Sequence, residues 1–463
     1  MGPSGVINRN IITYFIVILN PSIEDLFKRT YNKTMEHKVS QHQLTGGAKL
    51  LAIQIPNTIT FYWGSFFRPG FRHVDKDKYE LPHLAEHLAF AGTKTYPTPD
   101  SFKSEVEKDG TYYNAFTSTD YVWYEFVGAS SEVKRIINLN LSQIFEPLYH
   151  QERIEQEIAV ITQELSRNKE NDSWRLSQND WGNILAHYTD VDHRIAKLAE
   201  ITKSDIKKYH NERYSVSGTS FVLAGNYTDQ ELEDIIDLLN KRLGKVPTGN
   251  EPSLKPVEFK NYGGKVFGYE PYSDRQSMFA LRFTGKGKDE ENDPALRIMS
   301  TILTGGLMGR LHRKARESGL TYGIGSAGST SPDYTSFAVG AQTSVDKLKP
   351  LIELSCIEIT AIGEGEYGDD ELERAIGYKV GGYLRSMQTP AQFANWYYDD
   401  FIQGDRLIGV EEEVERIRSV TRQDIKRAYD KYFNRGNITL NIIGKGFSKS
   451  TDEYDSLIKN YFN

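Results

Sequence analysis

The stretch Pro82-His83-Leu84-Ala85-Glu86-His87-Leu88-Ala89-Phe90-Ala91-Gly92-Thr93 decides how the rest of the chain is read. Its His-x-x-Glu-His core places two histidines one helical turn apart, with a glutamate just before the second. On an α-helix, positions i and i+4 share a face, so both imidazoles project the same way and can hold one metal ion, as zinc sites require. With 10 histidines and 63 acidic residues among 463, chance placement yields only ~0.03 such matches per chain. The helix is expected to begin at about Leu81, since Pro82 is tolerated in a first turn that needs no intrahelical N–H bond. Gly92 is its expected stop.

Upstream, Ala48 to Phe66 is rich in apolar and β-branched residues and reads as two strands turning at Pro56-Asn57-Thr58, with a further turn at Pro69-Gly70. Downstream, Thr98-Pro99-Asp100-Ser101 opens a second helix. The aromatic, β-branched run from Gly110 to Val127 reads as paired strands. Ser131 to Phe145 has an amphipathic helical pattern. So has His150 to Arg167, where Ile154, Ile158, Ile161 and Leu165 form an apolar stripe. Glu157 and Glu164 lie two turns apart along one face of that helix.

A chain of this length exceeds one compact core, and 38% hydrophobic with 26% charged residues is an ordinary globular balance. A net charge of -7 argues against a nucleic-acid partner, because no basic field collects phosphates. The single cysteine, Cys356, excludes an intramolecular disulfide and a cysteine-based zinc site, and reads as a small buried apolar residue. The apolar run Ile11 to Leu19 is too short to span a bilayer, so no stable membrane insertion is expected. Residues 1–40 are set apart as an N-terminal extension. Within them, residues 1–34 are read either as an upstream segment before a start at Met35 or as a signal-like segment. A cytoplasmic setting is expected, with secretion or a periplasmic location as the alternative.

One constant offset organises the rest. The separation from Asp205 to Asp424 equals that from Gly225 to Gly444, and each pair brackets the same helix-to-strand block. An internal duplication is the simplest reading. The expected class is α+β: two homologous mixed domains, each a mainly antiparallel sheet packed with helices. The domains are 41–245 and 257–463, joined by a linker at 246–256. Sliding the motif helix by a slightly smaller offset brings it near Ile298 to Gly306, where neither histidine nor glutamate occurs. The second copy is therefore expected to keep the fold without the ligands.

His83-x-x-Glu86-His87, Phe90-Ala91-Gly92-Thr93, Asn114-Ala115-Phe116-Thr117, the more distant Glu164 and Arg316-Glu317-Ser318-Gly319-Leu320-Thr321-Tyr322 follow one another along the chain. In these motifs the chain resembles the pitrilysin and mitochondrial processing peptidase family, zinc metallopeptidases with an inverted motif. The resemblance runs from about Ala48 to the C-terminus and fits a half-length, two-domain member. It departs at Leu81-Pro82, where the family usually has a glycine and a small residue. The step from Arg316 to Tyr322 is also one residue shorter than in some members.

The resemblance implies one zinc ion per chain on His83, His87 and Glu164, leaving a fourth position for water. Glu86 would take the proton of the activated water and pass it to the leaving amine. Glu157 would orient a ligand histidine. Asn114, Ala115, Phe116 and Thr117 would bind an extended peptide as an added strand. Arg316 and Tyr322, reaching over from the other domain, would stabilise the oxyanion or bind substrate. The implied function is a zinc-dependent endopeptidase cleaving peptides or short unfolded polypeptides in a dimeric chamber. A homodimer is expected, with a heterodimer as the alternative. The rival reading is a catalytically silent partner subunit, which the complete metal motif argues against.

Overall fold

Alternation along three strands shows how the first half is built. In β2 (Lys49–Gln54), β3 (Thr60–Phe67) and β6 (Thr219–Gly225), Leu50, Trp63 and Phe221 face one apolar cluster, while Leu51, Tyr62 and Val222 face another. Side chains alternate across a sheet, so strands with large apolar residues on both faces demand cover on both. The computed structural model describes residues 36–68, 70–251, 254–273 and 276–462. The apolar run Ile11 to Leu19 and Pro69 of the expected Pro69-Gly70 turn lie outside these residues.

The first sheet adds β1 (Lys38–Gln43), β4 (Tyr112–Thr117) and β5 (Val122–Ala129), in the order β1-β2-β6-β3-β5-β4. The second consists of β7 (Lys265–Tyr269), β8 (Ser277–Lys286), β9 (Ile324–Thr330), β10 (Tyr334–Thr343) and β11 (Ile438–Ile443), in the order β7-β11-β8-β10-β9. Without β1 the two orders correspond strand for strand. Each contains one parallel pair, β2 with β6 and β7 with β11, and is otherwise antiparallel. The chain is thus α+β, with two sheets of one topology. β1 begins at Lys38, inside the segment read from sequence as an extension. Its alternating polar residues gave no strand signal, and it is held by antiparallel pairing with β2.

The motif helix, α1, spans Leu81–Ala89. Around it come α2 (Pro99–Glu107), α3 (Val133–Phe145) and α4 (Gln151–Lys169). Thr98 caps α2 through a reciprocal capping box with Ser101. Past the end of α1, Gly92 has φ +127°, and a β-carbon there would lie 2.6 Å from the Pro97 carbonyl oxygen. The first half continues with α5 (Asp172–Ile184), α6 (Val191–Leu198), α7 (Lys203–Arg213) and α8 (Asp229–Leu243).

In the second half, α9 (Asp293–Thr304) is the counterpart of α1, and each has proline in its first turn. It starts earlier than the expected stretch at Ile298, because the proline rather than the apolar run sets the helix start. Counted from the helix starts, Ala295 and Met299 stand where α1 has His83 and His87, and both are buried in the core. Next are α10 (Arg310–Glu317), α11 (Val345–Gly363), α12 (Asp369–Arg385), α13 (Pro390–Gln403), α14 (Val410–Arg418), α15 (Arg422–Tyr432) and α16 (Asp452–Tyr461). α7 and α15 repeat the same Thr-to-Asp capping box, Thr202 with Asp205 and Thr421 with Asp424.

The halves exchange helices. α13 packs on β2, β3 and β6 of the first sheet, and α5 packs on β8 and β11 of the second. Phe393, Ala394, Tyr397 and Phe401 of α13 thereby join the cluster that covers Leu51, Tyr62 and Val222. Burying each of the three aromatic side chains contributes roughly 1.5–3 kcal/mol. On α5, Asp180 is 1% exposed and accepts from Arg282 Nε at 2.7 Å and Asn441 Nδ2 at 2.9 Å. On α13, Asp399 accepts from Tyr121 OH at 2.7 Å. Asp180 and Asp399 are separated by the same offset as Asp205 and Asp424. Each copy thus sends one helix across to the other, with an aspartate at the equivalent position bonded to the far half.

Candidate metal centre

Helical spacing makes the site. His83 and His87 lie one turn apart on α1, with ring centroids 4.7 Å apart. α4 packs against α1 and brings Glu164 Oε2 to 3.8 Å from His83 Nε2 and 4.0 Å from His87 Nε2. The three ligand atoms lie within 4.8 Å of one another, and this is the one such group of three found among the described residues. A zinc ion bonded tetrahedrally at 2.0–2.2 Å holds its ligand atoms about 3.4 Å apart, so small side-chain adjustments close the set. Two neutral imidazoles and one carboxylate are also the donor chemistry that suits zinc.

Each imidazole is oriented from behind. Glu157, two turns before Glu164, places Oε2 2.9 Å from His87 Nδ1, the contact its spacing allowed. His83 Nδ1 lies 2.9 Å from Glu80 Oε2, and Glu80 Oε1 accepts from Arg194 Nε at 2.5 Å. Glu80 stands at the N-cap of α1, but its side chain caps no backbone N–H. A carboxylate bonded to Nδ1–H leaves the lone pair on Nε2, on the side of the metal. Burial alone would raise the Glu80 carboxyl, but the His83 hydrogen bond and the Arg194 charge hold it below its ordinary value. For His83, burial opposes protonation, and the Glu80 hydrogen bond and charge outweigh it, so its proton affinity is raised.

Glu86 points into the same cleft, 7% exposed. Thr117 Oγ1 donates to its Oε2 at 2.6 Å. Burial pushes its carboxyl up, against the pull of the His83 charge and the Thr117 hydrogen bond. The cleft measures about 520 Å³, and its walls include Asn114, Ala115, Phe116 and Thr117. These residues lie on β4, the last strand of its sheet, which pairs with β5 on one side only. Asn114 and Phe116 are exposed and Ala115 is half-buried, while Thr117 is buried against Glu86.

Arg316 and Tyr322 are elsewhere. Arg316 lies in the last turn of α10, and Tyr322 lies in the segment before β9, 83% exposed. The Arg316 guanidinium stacks on the Tyr322 ring at 4.8 Å, and neither residue lines the cleft of its own chain. Sequence reasoning missed Glu80, Arg194 and the Thr117 bond to Glu86. A carboxylate one turn before His83 was a usable signal for Glu80. Arg194, far along the chain on α6, left none.

Residues 52–183 match the family model described as Insulinase (Peptidase family M16), and residues 200–377 match Peptidase M16 inactive domain. The chain belongs to peptidase family M16. Together the two matches cover well over half of it. An uncharacterized zinc protease of Rickettsia felis is 23% identical over 86% of this M16 chain and 96% of its own length. One of Streptomyces coelicolor is 21% identical over 88% of this chain and 89% of its own. Insulin-degrading enzyme of Drosophila melanogaster is 26% identical over 48% of this chain and 24% of its own length. Among solved structures, a protease from Helicobacter pylori superposes with TM-score 0.78 at 18% identity, covering 88% of this chain and 99% of that one. At that identity the likeness is one of fold. The family's zinc-protease names agree with a zinc-type donor set on α1 and α4. Among the described residues of this M16 chain, no helix is long and apolar enough to cross a membrane.

Proposed function

We propose that the chain is a zinc-dependent endopeptidase that cleaves peptides or short unfolded polypeptides. The observation that carries the reading is the convergence, in one cleft, of His83, His87 and Glu164 with the buried Glu86 and the open edge of β4.

β4 offers unpaired backbone groups, so an extended peptide binds as an added strand, and Asn114 and Phe116 meet alternate substrate side chains. His83, His87 and Glu164 would hold the metal, and Glu80 and Glu157 keep the two Nε2 lone pairs directed at it. When bound, zinc supplies a Lewis acid that polarises the scissile carbonyl and acidifies the attacking water. Glu86 accepts the proton of that water on its carboxylate while the C–O bond forms. It returns the proton to the leaving nitrogen as the C–N bond breaks, a contribution of ~10²–10⁴ in rate. Thr117 fixes the rotation of the Glu86 carboxylate through Oε2.

Arg316 and Tyr322 lie outside the cleft, so their expected role of steadying the oxyanion requires a second copy of the chain. The reading therefore includes a homodimer in which each cleft is closed by the second half of the other chain. The inactive-domain match covers residues 200–377, where α9 has Ala295 and Met299 in place of the histidines. It does not weigh against a site in the first half. The test is Glu86→Gln: the variant should keep about one zinc per chain and lose cleavage of a quenched peptide library. Undiminished cleavage overturns the reading.

A further inference from the structure

We propose that Arg194 is a positioning residue for the metal centre, acting through Glu80 to hold His83 with Nε2 turned toward Glu164; the inference rests on the zinc reading above. His83 and Arg194 take opposite oxygens of one carboxylate, Oε2 at 2.9 Å and Oε1 at 2.5 Å. That carboxylate is 1% exposed and Arg194 is 6% exposed, so the chain Arg194–Glu80–His83 runs through the interior. An ionised carboxylate only accepts, and a neutral imidazole has one N–H, so the hydrogen bond to Glu80 assigns that proton to Nδ1.

The orientation of Glu80 is what Arg194 supplies. A buried carboxylate stripped of its cation is an uncompensated interior charge, and it would turn from its present rotamer toward solvent. His83 would then lose the hydrogen bond that fixes its ring from behind, and Nε2 its aim. Glu157, the corresponding support of His87, has a side chain 25% exposed and needs no buried counter-charge. The guanidinium is itself held by its surroundings. Its carbon lies 5.0 Å from the Tyr79 ring centroid, 5.8 Å from Phe71 and 5.9 Å from Trp174, and Nη1 reaches Gln178 Oε1 at 3.5 Å. A planar fork that stacks on aromatic faces while donating sideways is a property of arginine that lysine lacks.

The experiment measures zinc affinity by chelator competition and the visible absorption of the cobalt-loaded full chain. It compares wild type with Arg194→Met, Arg194→Lys and Glu80→Gln. Arg194→Met should weaken zinc binding by about 10–100-fold and alter the cobalt spectrum. Arg194→Lys, which keeps the charge, should recover part of both. Should Arg194→Met fail to fold, Arg194→Lys and Glu80→Gln carry the test, each expected to bind zinc more weakly than wild type. The proposal is overturned if those two variants match wild type, or if Arg194→Met lowers only the thermal midpoint and leaves zinc affinity and cobalt spectrum intact. A wild-type chain that binds no zinc instead refutes the underlying zinc reading, and the role of Arg194 with it.

Discussion

Thr117 Oγ1 lies 2.6 Å from Glu86 Oε2, which ties the last residue of the edge strand to the carboxylate on the ligand helix. The strand expected to bind peptide and the expected proton carrier are therefore one mechanical unit. A hydrogen bond to a charged group is worth about 1.5–3 kcal/mol. Thr117→Val should lower kcat by about 10–100-fold, since each ~1.36 kcal/mol is a factor of ten. Zinc content should not change. Steady-state kinetics with metal analysis would check this, and an unchanged kcat would mean that the hydroxyl does not set the carboxylate.

Glu157 receives His87 Nδ1 at 2.9 Å. Glu157→Ala leaves that N–H without its acceptor, and should cost about 10–100-fold in zinc affinity. Competition against a chelator of known affinity reads the loss, and wild-type affinity in the variant would remove Glu157 from the site.

The two-chain site predicts complementation. A Glu86→Gln chain, without cleavage alone, and a Tyr322→Phe chain, weakened alone, should gain cleavage when mixed and allowed to exchange subunits. In the mixed dimer one cleft has an intact Glu86 and is faced by an intact Tyr322. A monomer by light scattering, or no gain on mixing, would show that the cleft does not borrow from a second copy.

Acid should unfold the chain in part through His187. Burial, reinforced by the Arg72 charge, lowers its pKa to about 4, and its Nε2 has no hydrogen-bond partner among the described residues. The unfolded chain binds this proton from pH 6.5 downward and the folded chain only near 4. The contribution is therefore complete above pH 6.5 and is lost as pH falls toward 4. Discounted for partial exposure, the loss amounts to about 1–3 kcal/mol. Urea midpoints across this range should fall less steeply for His187→Gln than for wild type, and parallel curves would exclude the effect.

Local periodicity and constant spacing were legible in the sequence. One helical turn aligned His83 with His87, two turns aligned Glu157 with Glu164, and one repeated offset, from Asp205 to Asp424 and from Gly225 to Gly444, exposed the duplication. Helical geometry and chain duplication are encoded by position alone, so counting along the chain recovers them. The tertiary structure decided what closes from behind and from across. It brought Arg194 to Glu80 and Thr117 to Glu86, pairs that no local pattern connects. It also sent α5 and α13 over opposite sheets, and left Arg316 and Tyr322 outside the cleft of their own chain. These relations depend on which surfaces meet once both faces of each sheet must be buried, and no spacing along the chain carries that information.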